Sequence, residues 1–229
     1  MSWDQERRDL LDTMQRLDAL GMVSGSSGNA SVKLGGDDPA VEDGEEQLYL
    51  VTPAGIAYGR LGTGDMVVVN HDLEPVGSDG IPSSESLLHI ATYDARPDVS
   101  AIIHTHSVYA SVQAVKAEPI PPIIDEMVVY IGGQIEVSEY GFVGSDELAK
   151  YSVKALGDRR AAIIRNHGMF AVGPDLPEAF RVAELVERVA KIYVHAKMSG
   201  TVVRLPESAI ATERGMYLMR AGLREDQTG

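Results

Sequence analysis

The run Ile102-Ile103-His104-Thr105-His106 ends a β-branched, apolar stretch on two imidazoles. A strand's period of two points both to one side, so a single ion about 2.0–2.1 Å from each nitrogen can be held by the pair. Taken singly, each histidine is more often a satisfied structural residue than a ligand. A third, His167, follows the apolar run from Ala161 to Arg165 and precedes Gly168, where a turn can present a side chain at a sheet's edge. Three neutral nitrogen ligands leave a coordination position open, which marks a catalytic rather than a structural ion. Zn²⁺ is the default occupant, with Mn²⁺, Co²⁺ or Fe²⁺ as alternatives. Of the other histidines, His71 falls in a turn and His195 near the end of a long helix, with no matching ligand in their local sequence. His89 stands four residues after Glu85 and shares a helical face with it, as a supporting or packing residue rather than a ligand.

Three segments have the composition of an anion pocket. Ile81-Pro82-Ser83-Ser84-Glu85-Ser86 enters a helix, gathering backbone N–H groups and hydroxyls where the helix dipole favours negative charge. An ordinary N-cap has the same composition. Ser24 to Ser31, which includes Gly28 and Asn29, and Thr52-Pro53-Ala54-Gly55 are rich in small residues that let backbone amides approach a ligand. None carries the Gly-x-x-x-x-Gly-Lys of a nucleotide loop, so a compact phosphate monoester fits better than ATP.

These residues need a scaffold of alternating helices and strands. Residues 4 to 20 place Leu10, Met14, Leu17 and Leu20 on one helical face, closed by Gly21. Short strands are expected over Asn29 to Leu34, Gln47 to Thr52 and Asp65 to Asn70. A helix over Ser84 to Arg96 ends before Pro97, and a strand over Val99 to His104 leads to a helix over Val108 to Lys116. Beyond Pro119, Pro121 and Pro122, strand character resumes over Met127 to Ile131 and Gln134 to Glu139, and a helix follows over Ser145 to Leu156. Strands over Ala161 to Arg165 and Met169 to Val172 flank Asn166-His167-Gly168. Asp175 and Glu178 then open a long helix through Lys197 that Gly200 closes. No repeat or long linker divides the chain, and one α/β domain over residues 1–229 is the economical reading.

Composition narrows the function classes. Among 229 residues, 44% hydrophobic, there is no Cys, which removes disulfides, Cys-ligated zinc and thiol nucleophiles together. No stretch resembles a signal sequence or a membrane span, so a cytoplasmic location is expected. The net charge of −14 argues against nonspecific binding to nucleic acid or anionic membranes, which relies on clustered Lys and Arg. Six acidic residues between Asp37 and Glu46 read as a solvated loop.

In chain order, Ser27-Gly28-Asn29-Ala30-Ser31, Thr52-Pro53-Ala54-Gly55, Pro82-Ser83-Ser84-Glu85, Arg96-Pro97-Asp98, His104-Thr105-His106 and Asn166-His167-Gly168 resemble the class II aldolase and adducin family, most closely its fuculose-1-phosphate aldolase type. The resemblance spans nearly the whole chain. It implies a three-layer α/β/α domain around a mostly antiparallel sheet, usually assembled as a C4 homotetramer with active sites near subunit boundaries. It assigns His104, His106 and His167 to a divalent metal, Glu85 to proton transfer, and Gly28, Asn29, Thr52, Gly55, Ser83 and Ser84 to the substrate phosphate. The implied reaction is retro-aldol cleavage of a ketose 1-phosphate, fuculose 1-phosphate or a 5-deoxypentulose 1-phosphate, to dihydroxyacetone phosphate and a short aldehyde. Ala54 departs from the Ser or Thr common there. The family's aldehyde-side tyrosine falls near Asp125 or Glu126 and its tail tyrosine on Ala221, leaving Tyr130, Tyr140 and Tyr217 as substitutes, each of which packing explains better. On the same scaffold, a 4-epimerase would usually carry Asp in place of Glu85. A decarboxylase or dehydratase shares the chemistry, and an adducin-like interaction module would not retain the three histidines and Glu85.

Overall fold

A computed structural model describes residues 3–35, 47–77 and 79–222, and the acidic run between Asp37 and Glu46 lies outside them. Among the described residues, six strands form one antiparallel sheet: β1 (Asn29–Lys33), β2 (Tyr49–Val51), β3 (Val67–Val69), β4 (Ala101–Thr105), β5 (Ala161–Ile164) and β6 (Gly168–Gly173). Their order is β3-β2-β1-β4-β6-β5, which sets β4 at the centre between β1 and β6.

Each strand is buried on both faces, so the sheet separates two apolar layers. On one face Ala30, Val32, Ile103 and Ala171 pack against α1 (Asp4–Ala19), α3 (Val108–Lys116) and α6 (Leu176–Ser199). On the other, Tyr49, Val51, Ile102, Phe170 and Val172 meet Leu88 and Tyr93 of α2 (Ser86–Ala95) and Leu148 and Leu156 of α5 (Asp146–Leu156). The result is the expected α/β/α sandwich on an antiparallel sheet. Helix starts follow local chemistry: the Ser145 hydroxyl accepts from the Leu148 amide, and Asp175 accepts from the Glu178 amide.

Two expected strands are not strands. Asp125–Ile131 is a helix, α4, with Met127, Val128 and Ile131 buried at helical spacing. The two acidic residues in its first turn complement the helix dipole, and the Gly132 amide returns to the carbonyls of Met127 and Val128. A short apolar run is compatible with either period until its partners are known. Gln134 to Glu139 makes isolated bridges, Ile135 with Ile120 and Val137 with Ile163, instead of a ladder. Prolines on both sides of Ile120 supply no N–H to extend one. A further helix, α7 (Glu207–Ala221), packs on α4 and buries only Tyr217 and Leu218. Among the described residues, no helix is long and apolar enough to cross a membrane.

Candidate metal centre

The register of the three central strands gathers the chemistry at one sheet end. Asn29, the first residue of β1, is paired with His104 of β4, and His104 is paired with Phe170 of β6. Alternation sends the side chains of Asn29, Ser31, Ile102 and His104 to the face covered by α2. His106, just past the strand, keeps the same sense. His167 enters from the β5–β6 hairpin, where Asn166 adopts φ 57° and its amide is tied to the Ala114 carbonyl of α3. Asn is one of the few residues that take this left-handed conformation readily. Glu85 occupies the N-cap position of α2, just outside the helix that was expected to begin at Ser84.

Two glycines permit this convergence. A Cβ on Gly28 would fall 2.7 Å from the His104 carbonyl oxygen, and its φ of 76° is left-handed. A Cβ on Gly168 would collide with the Thr105 carbonyl and lie 2.9 Å from the His106 ring. Both glycines therefore let β1 and β6 close on the histidine-bearing end of β4.

Ligating atoms of Glu85, His104, His106 and His167 all lie within 4.8 Å of one another. The three rings sit 4.7–4.9 Å apart between centroids, tilted by 63–75°. The Nδ1 of His104 is 2.8 Å from the Met169 carbonyl, which only accepts, so Nδ1 carries the proton and Nε2 turns a lone pair inward. That Nε2 lies 3.0 Å from the Nε2 of His106 and 3.2 Å from Glu85 Oε2, while His167 Nε2 is 3.1 Å from Glu85 Oε1. Tetrahedral nitrogen ligands about 2.0–2.1 Å from a common ion stand about 3.3 Å apart, close to these separations.

The electrostatics agree with that geometry. Burial, followed by the neighbouring His104 and His167, pushes His106 down to about 4. Burial and His104 likewise lower His167. Burial alone would raise the Glu85 carboxyl, but positive charge at His104, then His167 and His106, outweighs it and holds the group below the usual carboxylate range; a cation held by the same nitrogens would supply that charge in place of their protons. An ionised carboxylate facing inward lone pairs is the donor set of a divalent cation, and these residues fit one. The sequence had not placed Glu85 among the possible ligands; the structure brings it within reach of the same ion.

The segments expected to hold an anion also meet here. Thr52 and Ser83 are joined by a 3.1 Å backbone bond, Pro53 bridges Pro82, and the Ala54 amide reaches the Ile81 carbonyl. The Tyr58 hydroxyl fastens the Gly28 carbonyl at 2.5 Å. Three of the six residues make internal side-chain bonds: Asn29 Nδ2 donates to Glu85 Oε2 at 2.8 Å, Thr52 Oγ1 accepts from the Ala30 amide, and Ser83 Oγ accepts from the Glu85 amide at 3.4 Å. Gly55 and Ser84 are exposed, and Ser83 is partly so. Of the three substitute tyrosines, Tyr217 is buried and donates to the Asp158 carbonyl, and Tyr130 lies under Arg220 and Arg181. Tyr140 is exposed, on a segment that reaches the Ser84 carbonyl at Gly144.

The sequence profile described as Class II Aldolase and Adducin N-terminal domain matches residues 8–194. The chain belongs to the class II aldolase and adducin family. A 5-deoxy-D-ribulose 1-phosphate aldolase of Bacillus thuringiensis serovar kurstaki is 30% identical over 207 residues, covering 90% of this chain and 92% of the relative. A 5-methylthioribulose-1-phosphate/5-deoxyribulose-1-phosphate aldolase of Escherichia coli is 33% identical over 81% of each chain. Among solved structures, an L-fuculose 1-phosphate aldolase superposes with a TM-score of 0.83 at 34% identity, covering 92% of this chain and 95% of that one. Five of the six sequence segments meet at this sheet end, whereas Arg96-Pro97-Asp98 sits at the opposite end of α2, where Arg96 donates to the Gly157 and Arg159 carbonyls.

Proposed function

We propose that this class II aldolase cleaves a ketose 1-phosphate, a 5-deoxypentulose 1-phosphate or fuculose 1-phosphate, into dihydroxyacetone phosphate and a short aldehyde. The chain is a lyase of the aldolase type, as its relatives are. The observation that carries the reading is the contact of an ionised Glu85 with the inward nitrogens of His104 and His167 at 3.1–3.2 Å. His104, His106 and His167 would hold a divalent ion, with Glu85 within reach as a fourth ligand. Zn²⁺ is favoured by the nitrogen-rich set over Mn²⁺, Co²⁺ or Fe²⁺. Bound there, the ion supplies Lewis acidity to the carbonyl and adjacent hydroxyl oxygens of the ketose.

Glu85 then moves the proton. In the condensation direction its carboxylate removes a proton from the hydroxymethyl carbon of dihydroxyacetone phosphate. In cleavage it returns a proton to that carbon after the C3–C4 bond breaks. The 2.8 Å bond from Asn29 aims the carboxylate, and Thr52 braces the pocket wall through its bond to Ala30. Gly55, Ser83 and Ser84, beside Gly28 and Asn29, receive the phosphate. Of the three tyrosines, Tyr140 alone is exposed and would be free to serve the aldehyde oxygen. One domain over residues 1–229, a homotetramer and a cytoplasmic location complete the proposal. Exposed Met198, Val203 and Met219 supply apolar surface for assembly.

A panel of ketose 1-phosphates and ketopentose 5-phosphates offered to the metal-loaded protein tests this reading. Release of dihydroxyacetone phosphate is expected; conversion to a stereoisomer without cleavage would make the chain an epimerase instead.

A further inference from the structure

Strand β1 and helix α2 meet along a polar seam in an otherwise apolar layer. Alternate residues of a strand are about 6.6–6.8 Å apart, and residues four apart on a helix about 6 Å, so successive positions on the two elements stay opposite one another. Asn29 Nδ2 donates to Glu85 Oε2 at 2.8 Å. One step along, the Ser31 hydroxyl lies 2.6 Å from His89 Nδ1 and 2.7 Å from the Tyr93 hydroxyl. At the far end, the Lys33 ammonium sits 5.1 Å from the Tyr93 ring centroid. Ser31, His89 and Tyr93 are buried, and His89 Nε2 has no hydrogen-bond partner among the described residues.

Such a cluster is a costly way to glue a helix to a sheet. Apolar residues of similar volume would pack there without an unmatched ring nitrogen. What the seam provides is an axial setting. Apolar contacts such as Leu88 against the sheet tolerate small slides of a helix, whereas two short hydrogen bonds to one hydroxyl do not. Glu85 is the N-cap of α2, and its carbonyl accepts from the Leu88 amide at 3.0 Å, so any slide of α2 displaces its carboxylate from the histidines.

We infer that Ser31 and His89, with Tyr93 behind them, are positioning residues for the Glu85 carboxylate, fixing α2 along β1 and thereby the proton carrier's distance from the reacting carbon. This rests on the assignment of Glu85 as that carrier. The test follows, by NMR, exchange of the hydroxymethyl proton of dihydroxyacetone phosphate into deuterium oxide. In that half-reaction the C–H bond breaks, the proton passes to the carboxylate, and a solvent deuteron returns to the same carbon. Metal content, melting temperature, kcat and KM are measured alongside.

Ser31→Ala is expected to keep full metal content and to change KM less than about threefold, while exchange and kcat both fall about 10- to 100-fold, the cost of a misplaced catalytic group. Ser31→Thr, which keeps the hydroxyl, should recover most of the rate. A purely structural seam would instead lower the melting temperature of Ser31→Ala and leave kcat of the folded fraction unchanged. Exchange at the wild-type rate in Ser31→Ala, with exchange abolished in Glu85→Gln, overturns the inference and leaves the Glu85 assignment standing. Exchange that survives in Glu85→Gln overturns the assignment itself.

Discussion

At the scale of single residues, the centre combines groups whose preferred protonation states suit an ion. His104→Ala or His167→Ala should strip the metal and abolish activity, since each removes one of three inward nitrogens. Glu85→Gln should retain metal on the three histidines and lose most turnover; elemental analysis beside a cleavage assay separates the two effects, and a fully active Glu85→Gln protein would sink the mechanism. A pH prediction follows from the buried imidazoles. His106 is pushed down to about 4 and His89, wholly buried, to about 3, whereas both titrate near about 6.5 in the unfolded chain. Between those values the unfolded chain binds protons that the folded protein refuses. The associated stability is complete above about 6.5 and drains away as the pH falls toward 4 and below. Thermal melts of chelator-treated protein should therefore lose melting temperature steeply over that window, and His89→Gln should flatten the slope. An unchanged slope in that variant would exclude His89 as a source.

At the scale of elements, the site depends on close approach and on one clamp. Gly168→Ala should cost about 1–3 kcal/mol, the range for overpacking, and should weaken metal retention as well, because the added carbon meets the β4 carbonyl between the two histidines. Arg96-Pro97-Asp98 does different work. The Arg96 guanidinium grips both Asp98 oxygens at 2.8 Å and donates to the Gly157 and Arg159 carbonyls, locking the end of α2 to the turn between α5 and β5. Asp98→Asn should destabilise the fold by about 1.5–3 kcal/mol in denaturant titrations while metal content stays at its wild-type value. Reading these elements from sequence succeeded where period and caps agreed. His104 and His106 ended a β-branched run, and the hairpin around His167 was flanked by two apolar strands. It failed at Asp125–Ile131, whose valines favour a strand while its first-turn acids and Gly132 favour a helix, a choice decided by packing on α7. The Ser31–His89–Tyr93 seam was illegible for a related reason. Spacing showed His89 on the Glu85 face, but only the register of β1 reveals which hydroxyl it meets.

For the molecule as a whole, the net charge and the proposed phosphorylated substrate have the same sign. Assembly adds a first expectation: for the proposed homotetramer, light scattering should give about four times the 24.6 kDa chain mass, and a monomer mass would remove that part of the proposal. The proposed phosphate residues, Gly55, Ser83 and Ser84, carry no formal charge, so capture falls to amides and hydroxyls acting at short range. At an ionic strength of about 0.01 M the Debye length is about 30 Å, and the field of a −14 surface reaches an approaching phosphate; at about 0.15 M it shrinks to about 8 Å. Short-range donors lose little to that screening. Added chloride should accordingly raise kcat/KM for the phosphorylated ketose several-fold between those conditions and leave kcat unchanged. The corresponding unphosphorylated ketose, a poor substrate, should show no rise. A fall in kcat/KM with salt would place a cationic side chain at the entrance and displace the neutral pocket described here.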